Sequence, residues 1–338
     1  MKTIDPRALN PNLKFGRGIL PEAGRDWGDY LLVTQPEALS SAEKMLLKQP
    51  SATHFVTTME RAAIEEQSSA LARTETIVGL GGGAALDFAK FVGWKQGTDP
   101  VLVPGAASVD AGVCNSIAVR EDNKVRYIGF AVAKEIICDF DLMQAAPKNI
   151  NRAGIGDILS IHTALWDWKL AATRHKAEYN QEHARATAAL VDQLEARAGE
   201  IYKVSDQALE WLMRAYATEN AVCIRNRGSR PEEGSEHFFA YNVESLTKRS
   251  FIHGELVCLG VLLLSRLQEN EVERVERILS QTGVRFQPAQ LKLSKAEVEK
   301  ALTTLKVYAE NEHLVYSVVN ERPVERKTLK IMCKDLKF

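Results

Sequence analysis

The sequence predicts an α/β N-terminal half with a parallel, Rossmann-like sheet, joined to an all-α C-terminal half. Three observations carry this. Between Asp29 and Val103, short apolar runs rich in β-branched residues alternate with longer segments of helical period, the pattern of βαβ units. One of these runs leads straight into Gly79-Leu-Gly-Gly-Gly83 ahead of a helical segment. Beyond Pro147 nearly every stretch repeats its apolar residues with helical spacing, with none of the alternation that marks strands.

Taken in order, Tyr30-Leu-Leu-Val-Thr34 reads as a strand, Glu37 to Lys48 as a helix, and His54-Phe-Val-Thr57 as a second strand. Met59 to Arg73 returns as a helix, and Thr76-Ile-Val-Gly-Leu80 is a third strand. Near-continuous apolar strands joined by crossover helices pair in parallel, because a crossover brings the chain back in the same direction. Shorter strands follow at Ser116 to Val119, Arg126 to Phe130 and Glu135 to Cys138, with Glu121-Asp-Asn-Lys124 as a hairpin turn. In the helical half Leu209, Leu212 and Tyr216 share one face, as do Val272, Val275 and Leu279, and Ser294 with Glu297 makes a capping box. The boundary is expected near residue 148, giving an α/β domain over residues 1–148 and a helical domain over residues 149–338.

Composition excludes several classes of function. With 338 residues, 45% of them hydrophobic, the chain can bury a large core. Its 43 basic and 44 acidic residues nearly cancel, so no global field holds a nucleic acid or an anionic membrane. The longest apolar stretch, Leu256 to Leu264, is interrupted by Gly260 and falls far short of the roughly 20 residues needed to span a bilayer. Five scattered cysteines with no Cys-x-x-Cys pair speak for a reducing compartment. A cytoplasmic protein without nucleic-acid or membrane partners is expected, and a homo-oligomer is allowed. Cys223 and Cys258 read as small core residues, Trp166 and Trp168 as packing groups, and the basic C-terminal run as a solvated helix face.

Two groups of residues can carry chemistry. Glycines let a backbone approach a phosphate closely, and a helix N-terminus offers free N–H groups and a positive dipole end, so Gly81, Gly82 and Gly83 suit an anion. The spacing is neither Gly-x-Gly-x-x-Gly nor a Walker loop, and composition alone leaves a plain strand-to-helix turn equally open. The second group is Asp157, His237 and His253, one carboxylate and two imidazoles, which suit a divalent zinc, nickel or iron ion with coordination positions left for substrate. Seven histidines in the chain allow such a set to be picked by chance, and spacing alone leaves a structural role open.

Taken together these segments resemble one family. Gly81-Gly-Gly-Ala-Ala-Leu-Asp87-Phe-Ala-Lys90 looks like the cofactor motif of the glycerol-1-phosphate dehydrogenases, within the superfamily of iron-containing alcohol dehydrogenases, glycerol dehydrogenases and dehydroquinate synthases. Val103-Pro-Gly-Ala-Ala-Ser108-Val-Asp110, Asp139-Phe-Asp141 to Pro147, and Ala153-Gly-Ile-Gly-Asp157-Ile-Leu with Trp166-Asp-Trp168 follow in the family's order. So do Ser229-Arg-Pro-Glu-Glu-Gly-Ser-Glu-His237 and His253-Gly-Glu255. The matches are collinear from about residue 79 to residue 260.

The resemblance implies a dehydroquinate synthase-like two-domain fold with an active site in the cleft between the halves. NAD(H) or NADP(H) would lie on Gly81, Gly82 and Gly83, with Asp87 and Lys90 completing the turn and Ser108 touching cofactor or substrate. Asp157, His237 and His253 would hold one divalent metal ion, and Asp110 would hydrogen-bond a substrate hydroxyl. The related alcohol dehydrogenases place a further histidine ligand four residues after the aspartate. Here that position is Ile161, with His162 rotated away. The implied reaction reduces dihydroxyacetone phosphate, or a similar small phosphorylated carbonyl or polyol compound, with Arg230, Lys248 and Arg249 as candidate phosphate contacts. Alternatives are a metal- and NAD-dependent phosphate-eliminating lyase like dehydroquinate synthase, and a non-catalytic relative. Gly105, Ala84, Phe238 and Gln35-Pro36 depart from the family pattern, which bears on cofactor and substrate preference.

Overall fold

A computed structural model describes residues 4–338. The chain forms two compact units, one made of the chain up to Asn151 together with Val204–Asn220, the other of Arg152–Lys203 with Ala221–Phe338.

The first unit is built on a six-stranded sheet. Its strands are β1 (Leu13–Gly16), β2 (Tyr30–Thr34), β3 (Ala52–Phe55), β4 (Thr76–Gly81), β5 (Val101–Pro104) and β8 (Glu135–Asp139), while β6 (Ser116–Glu121) and β7 (Lys124–Phe130) form a separate hairpin. The order across the sheet is β1-β8-β5-β4-β2-β3, and every neighbouring pair is parallel. The parallel sheet expected from the crossover pattern is therefore present. Leu32, Val78, Leu80, Val101, Val103 and Ile137 point into one buried cluster with Leu20, Trp27 and Tyr30.

Helices α1 (Pro36–Ala42), α2 (Arg61–Ser69) and α3 (Gly83–Gln96) connect the strands. The first two are shorter than the periodicity suggests. Beyond Ala42 the chain tightens into a single 3-10 turn, Glu43–Met45, and the second crossover starts only at Arg61. The hairpin turn falls where expected, with Asp122 and Asn123 both at positive φ, the geometry that matches the twist of paired strands. β1 had no reading in the sequence; it is four residues long, lies at the sheet edge and pairs with β8 from the other end of the unit.

The second unit is helical. Its central elements are α4 (Ile155–Thr173), α6 (Ser235–Thr247) and α7 (His253–Gln268), with α7 packed against both of the others. α5 (Asp206–Asn226) intervenes in the chain. Its N-terminal part belongs to the first unit, where the Tyr216 hydroxyl donates to the Ala107 carbonyl at 3.3 Å and Asn220 Nδ2 to the Val113 carbonyl at 3.2 Å. Leu209, Leu212 and Tyr216 are buried together. The capping box at Ser294 and Glu297 forms as read. Among the described residues no helix is long and apolar enough to cross a membrane, and all five cysteines are free thiols.

Candidate functional site

The sheet order locates the first region of interest. From β2 the chain steps outward to β3, whereas from β4 it steps the other way to β5, so the carboxyl ends of β2 and β4 flank the point where the winding reverses. Open α/β sheets bind ligands there. The groups at those ends are Thr34 and Gln35 on one side and Gly81 to Gly83 on the other. Gly81 has a φ of 140°, which side-chain-bearing residues avoid. Gly82 then caps α3 and Gly83 opens it, placing unpaired helix N–H groups at the loop. Gln35 reaches across so that its Oε1 accepts from the Gly82 N–H at 3.1 Å. Gly105, which departs from the family threonine, donates its N–H to the Gly81 carbonyl at 2.9 Å.

Asp87 and Lys90 are buried one turn apart on α3. Lys90 Nζ lies 2.7 Å from Asp87 Oδ1 and donates to the carbonyls of Cys114 and Ser116, both at 2.8 Å. Burial works against the ammonium, but Asp87 outweighs it and Lys90 stays charged with a raised pKa. The pair ties the segment before β6 to the helix that follows the glycines. Ser108 and Asp110 are half-buried on the turn after β5, and the Asp110 carbonyl closes that turn by accepting from Val113 and Cys114.

In the second unit Asp157, His237 and His253 converge. Each offers a donor atom, and these atoms all lie within 4.8 Å of one another. His253 Nε2 is 3.4 Å and His237 Nε2 4.0 Å from Asp157 Oδ1, and the two rings are 5.2 Å apart. Two glycines make this possible. A Cβ at Gly156 would fall on the Cα of Gly254, and one at Gly254 on the Ala153 carbonyl oxygen, so the starts of α4 and α7 touch backbone to backbone. Asp157 directly follows one of these glycines and His253 directly precedes the other, which sets their side chains side by side.

The residues fit a divalent ion. A tetrahedral ion with bonds of about 2.1 Å spaces its ligands about 3.4 Å apart; His253 Nε2 and Asp157 Oδ1 stand at that distance, and His237 Nε2 is wider at 4.0 Å. The electrostatics agree. Burial disfavours an imidazolium at His237, yet its hydrogen bond to Glu236 and the charges of Glu233, Glu236 and Glu232 outweigh it and lift the pKa to about 10. The acidic groups around His237 thus favour positive charge on that ring. Asp157 and His237 are buried, whereas the His253 side chain keeps 30% of its exposure, so the centre is open on the His253 side.

Other nominated residues have protein partners. Arg230 donates to the Tyr316 carbonyl at 2.6 Å, Arg249 pairs with Glu297 at 2.8 Å and donates to the Lys292 carbonyl, and Lys248 ends α6 in a left-handed conformation. His162 is held by the Asn270 carbonyl at 3.0 Å, and Trp168 is buried with its indole N–H on the Glu178 carbonyl. The spacing arguments passed over Glu236 and Thr163, and noted Gln35 only as a departure from the family pattern. Glu236 Oε1 lies 2.9 Å from His237 Nδ1 and accepts from the Gly234 N–H at 2.6 Å, while Oε2 accepts from the Thr163 hydroxyl at 2.7 Å. Its place beside His237 in the Ser-Glu-His run was the one available signal.

Comparison with known proteins gives a consistent picture. The family model for iron-containing alcohol dehydrogenases matches residues 32–147. A glycerol-1-phosphate dehydrogenase [NAD(P)+] of Aeropyrum pernix is 27% identical, with 96% of each chain covered. The corresponding protein of Hyperthermus butylicus is 31% identical over 67% of this chain and 65% of its own length. Among solved structures, a probable glycerol dehydrogenase from Sinorhizobium meliloti superposes with a TM-score of 0.71 at 19% identity, covering 95% of this chain and 94% of that one.

Proposed function

We infer that this chain, which belongs with the glycerol-1-phosphate dehydrogenases in the iron-containing alcohol dehydrogenase superfamily, is a metal-dependent NAD(P)H oxidoreductase reducing dihydroxyacetone phosphate or a closely related small keto-phosphate. Its class, an NAD(P)-dependent alcohol or polyol-phosphate dehydrogenase, follows from its relatives. The observation that carries the finer reading is the convergence of Asp157, His237 and His253.

When bound, the two cofactors supply a hydride from the reduced nicotinamide and polarisation of the carbonyl oxygen by a Lewis acid. The chain's own residues prepare the ground. Gly81, Gly82 and Gly83 offer backbone N–H groups to the pyrophosphate at the start of α3. Asp87 and Lys90 fix that helix to the segment before β6. Asp157 and His237, held rigidly by burial, and the more open His253 supply the donors for one zinc, nickel or iron ion, a choice that ligand type leaves to metal availability. Ser108 is proposed to contact cofactor or substrate, and Asp110 a substrate hydroxyl. A phosphate dianion needs a cation beside it, for which Arg230, Lys248 and Arg249 are proposed. Arg230 and Arg249 would exchange the Tyr316 carbonyl and Glu297 for the substrate.

The test is absorbance at the NADH wavelength, with metal-loaded protein, NADH or NADPH, and a panel of small keto-phosphates. Oxidation with dihydroxyacetone phosphate is expected, together with loss of both bound metal and turnover in His253→Ala. No oxidation of either cofactor with any substrate would overturn the dehydrogenase reading, and phosphate release without net oxidation would favour the lyase. Full metal content in His253→Ala would remove that ligand.

A further inference from the structure

We propose that Glu236, gripped by Thr163, is a positioning residue of the metal centre: it keeps the proton of His237 on Nδ1 and so presents Nε2 to the cation. The inference rests on the metal reading above and adds to it a device outside the ligand set.

Glu236 already accepts from the Gly234 N–H on Oε1 and from the Thr163 hydroxyl on Oε2, so it faces His237 as an acceptor. With Glu236 Oε1 at 2.9 Å from His237 Nδ1, the proton of a neutral imidazole must sit on Nδ1, leaving the Nε2 lone pair aimed toward Asp157 and His253. Which ring nitrogen of a histidine binds a metal is set by the hydrogen bond that the other makes. Glu236 cannot swing away from this contact. It is fully buried, and its two oxygens are held by the Gly234 N–H and the Thr163 hydroxyl. The Thr163 hydroxyl also lies 3.0 Å from the Ser160 carbonyl, but it has one proton, and the closer, charged acceptor is Glu236.

Thr163 stands six residues after Asp157 on the same helix. α4 therefore carries one ligand directly and orients a second through the Thr163–Glu236 link. The backbone is fitted to this arrangement. Gln268 Nε2 of α7 donates to the Thr163 carbonyl at 3.1 Å, and a Cβ at Gly260 of α7 would lie 2.6 Å from the Glu236 carbonyl oxygen.

A buried acid could merely anchor a helix start, and Asp167 shows what that looks like. Its oxygens accept from the Ser235 and Val318 N–H groups and reach no ligand. Glu236 serves the same helix start but spends one oxygen on His237. Asp167→Asn is thus a control for loss of a buried acid nearby.

The experiment measures zinc dissociation constants of the full chain by chelator competition, and the His237 ring by NMR of the zinc-loaded, histidine-labelled protein. Glu236→Ala is expected to weaken zinc binding by about 10–100-fold, the range for lost outer partners of metal-bound histidines. Thr163→Val should weaken it less. Glu236→Gln, whose carbonyl oxygen can still accept from Nδ1–H, should recover most of the affinity and keep the Nδ1–H signal. Zinc affinity within about two-fold of the parent in Glu236→Ala, or a zinc-loaded His237 carrying its proton on Nε2, would overturn the proposal. His237→Ala separates the premises: if it loses zinc while Glu236→Ala does not, only the positioning role fails, whereas retained zinc in His237→Ala sinks the centre itself. Should Glu236→Ala fail to fold, Thr163→Val and the NMR signature decide.

Discussion

At the end of β4 the proposed cofactor loop is a run of consecutive residues, Gly81 to Gly83. The centre in the second unit takes its donors from side chains 80 and 16 positions apart, on α4, α6 and α7. The loop needs only a strand, a turn that lacks side chains and a helix behind it, and all three come from one stretch of chain. The cluster of Asp157, His237 and His253 forms only because helices that are distant in sequence touch, at Gly156 and Gly254, to within backbone contact. A site made of backbone is robust to its neighbours. One made of convergent side chains inherits every error in helix packing.

The largest effect expected from that contrast is at Lys90. Lys90→Met leaves Asp87 buried without its cation and should destabilise the protein by about 3–5 kcal/mol while leaving zinc affinity unchanged; urea unfolding and chelator competition on one preparation check both halves. A fall in zinc affinity would erase the distinction between the regions. Next comes Gly254→Ala, where the added methyl meets the Ala153 carbonyl. The cost should approach about 3 kcal/mol, the upper end for overpacking, and here metal content must fall with stability. Retained stoichiometric metal would show that the ligands do not depend on the glycine contact.

A smaller and more selective effect concerns pH. Burial pushes the Asp167 carboxyl up to about 7 from 3.8, against the Ser235 hydrogen bond that favours its charge. The folded state therefore retains a proton that the unfolded chain releases at lower pH. Stability from this group should be full below about pH 4, decline as pH rises to about 7 and then level off. Urea midpoints of the parent should show that decline and those of Asp167→Asn should lack it; equal slopes would mean that Asp167 is ionised throughout. Smallest is Gln35→Ala. Removing the acceptor on the Gly82 N–H is worth about 1 kcal/mol, so NADH should bind up to about five-fold tighter by fluorescence titration. Weaker binding would mean that Gln35 itself contacts the cofactor.

Much of the first unit was legible before any coordinates. β2 and β4 stand out because runs of five and six buried residues are rich in leucine and β-branched residues, and Asp122-Asn123 tolerates the positive φ of a tight hairpin. β1 was not legible, since four residues at a sheet edge, none of them buried, carry too little pattern and their pairing with β8 depends on chain more than 120 positions away. The first crossover helix was overextended because helical periodicity continues past Ala42 while the backbone tightens there into a 3-10 turn, Glu43–Met45. For Asp157, His237 and His253, histidine spacing meant nothing by itself, and the set stood out only through its resemblance to a family motif. Glu236 was hidden for a different reason: an acid next to a ligand in the chain carries no sign of which way it turns.

What the sequence determined alone is whatever is settled within a turn or a strand: β-branched runs, the glycine bend, helical period and capping at Ser294. Those depend on neighbours along the chain, whose geometry is nearly the same in any fold. Tertiary structure decided the rest, namely which way the sheet winds, where residues 204–220 belong, and that Asp157, His237 and His253 meet while Glu236 turns toward His237. Such outcomes follow from how close two helices can pack, a property of both surfaces at once that neither segment contains.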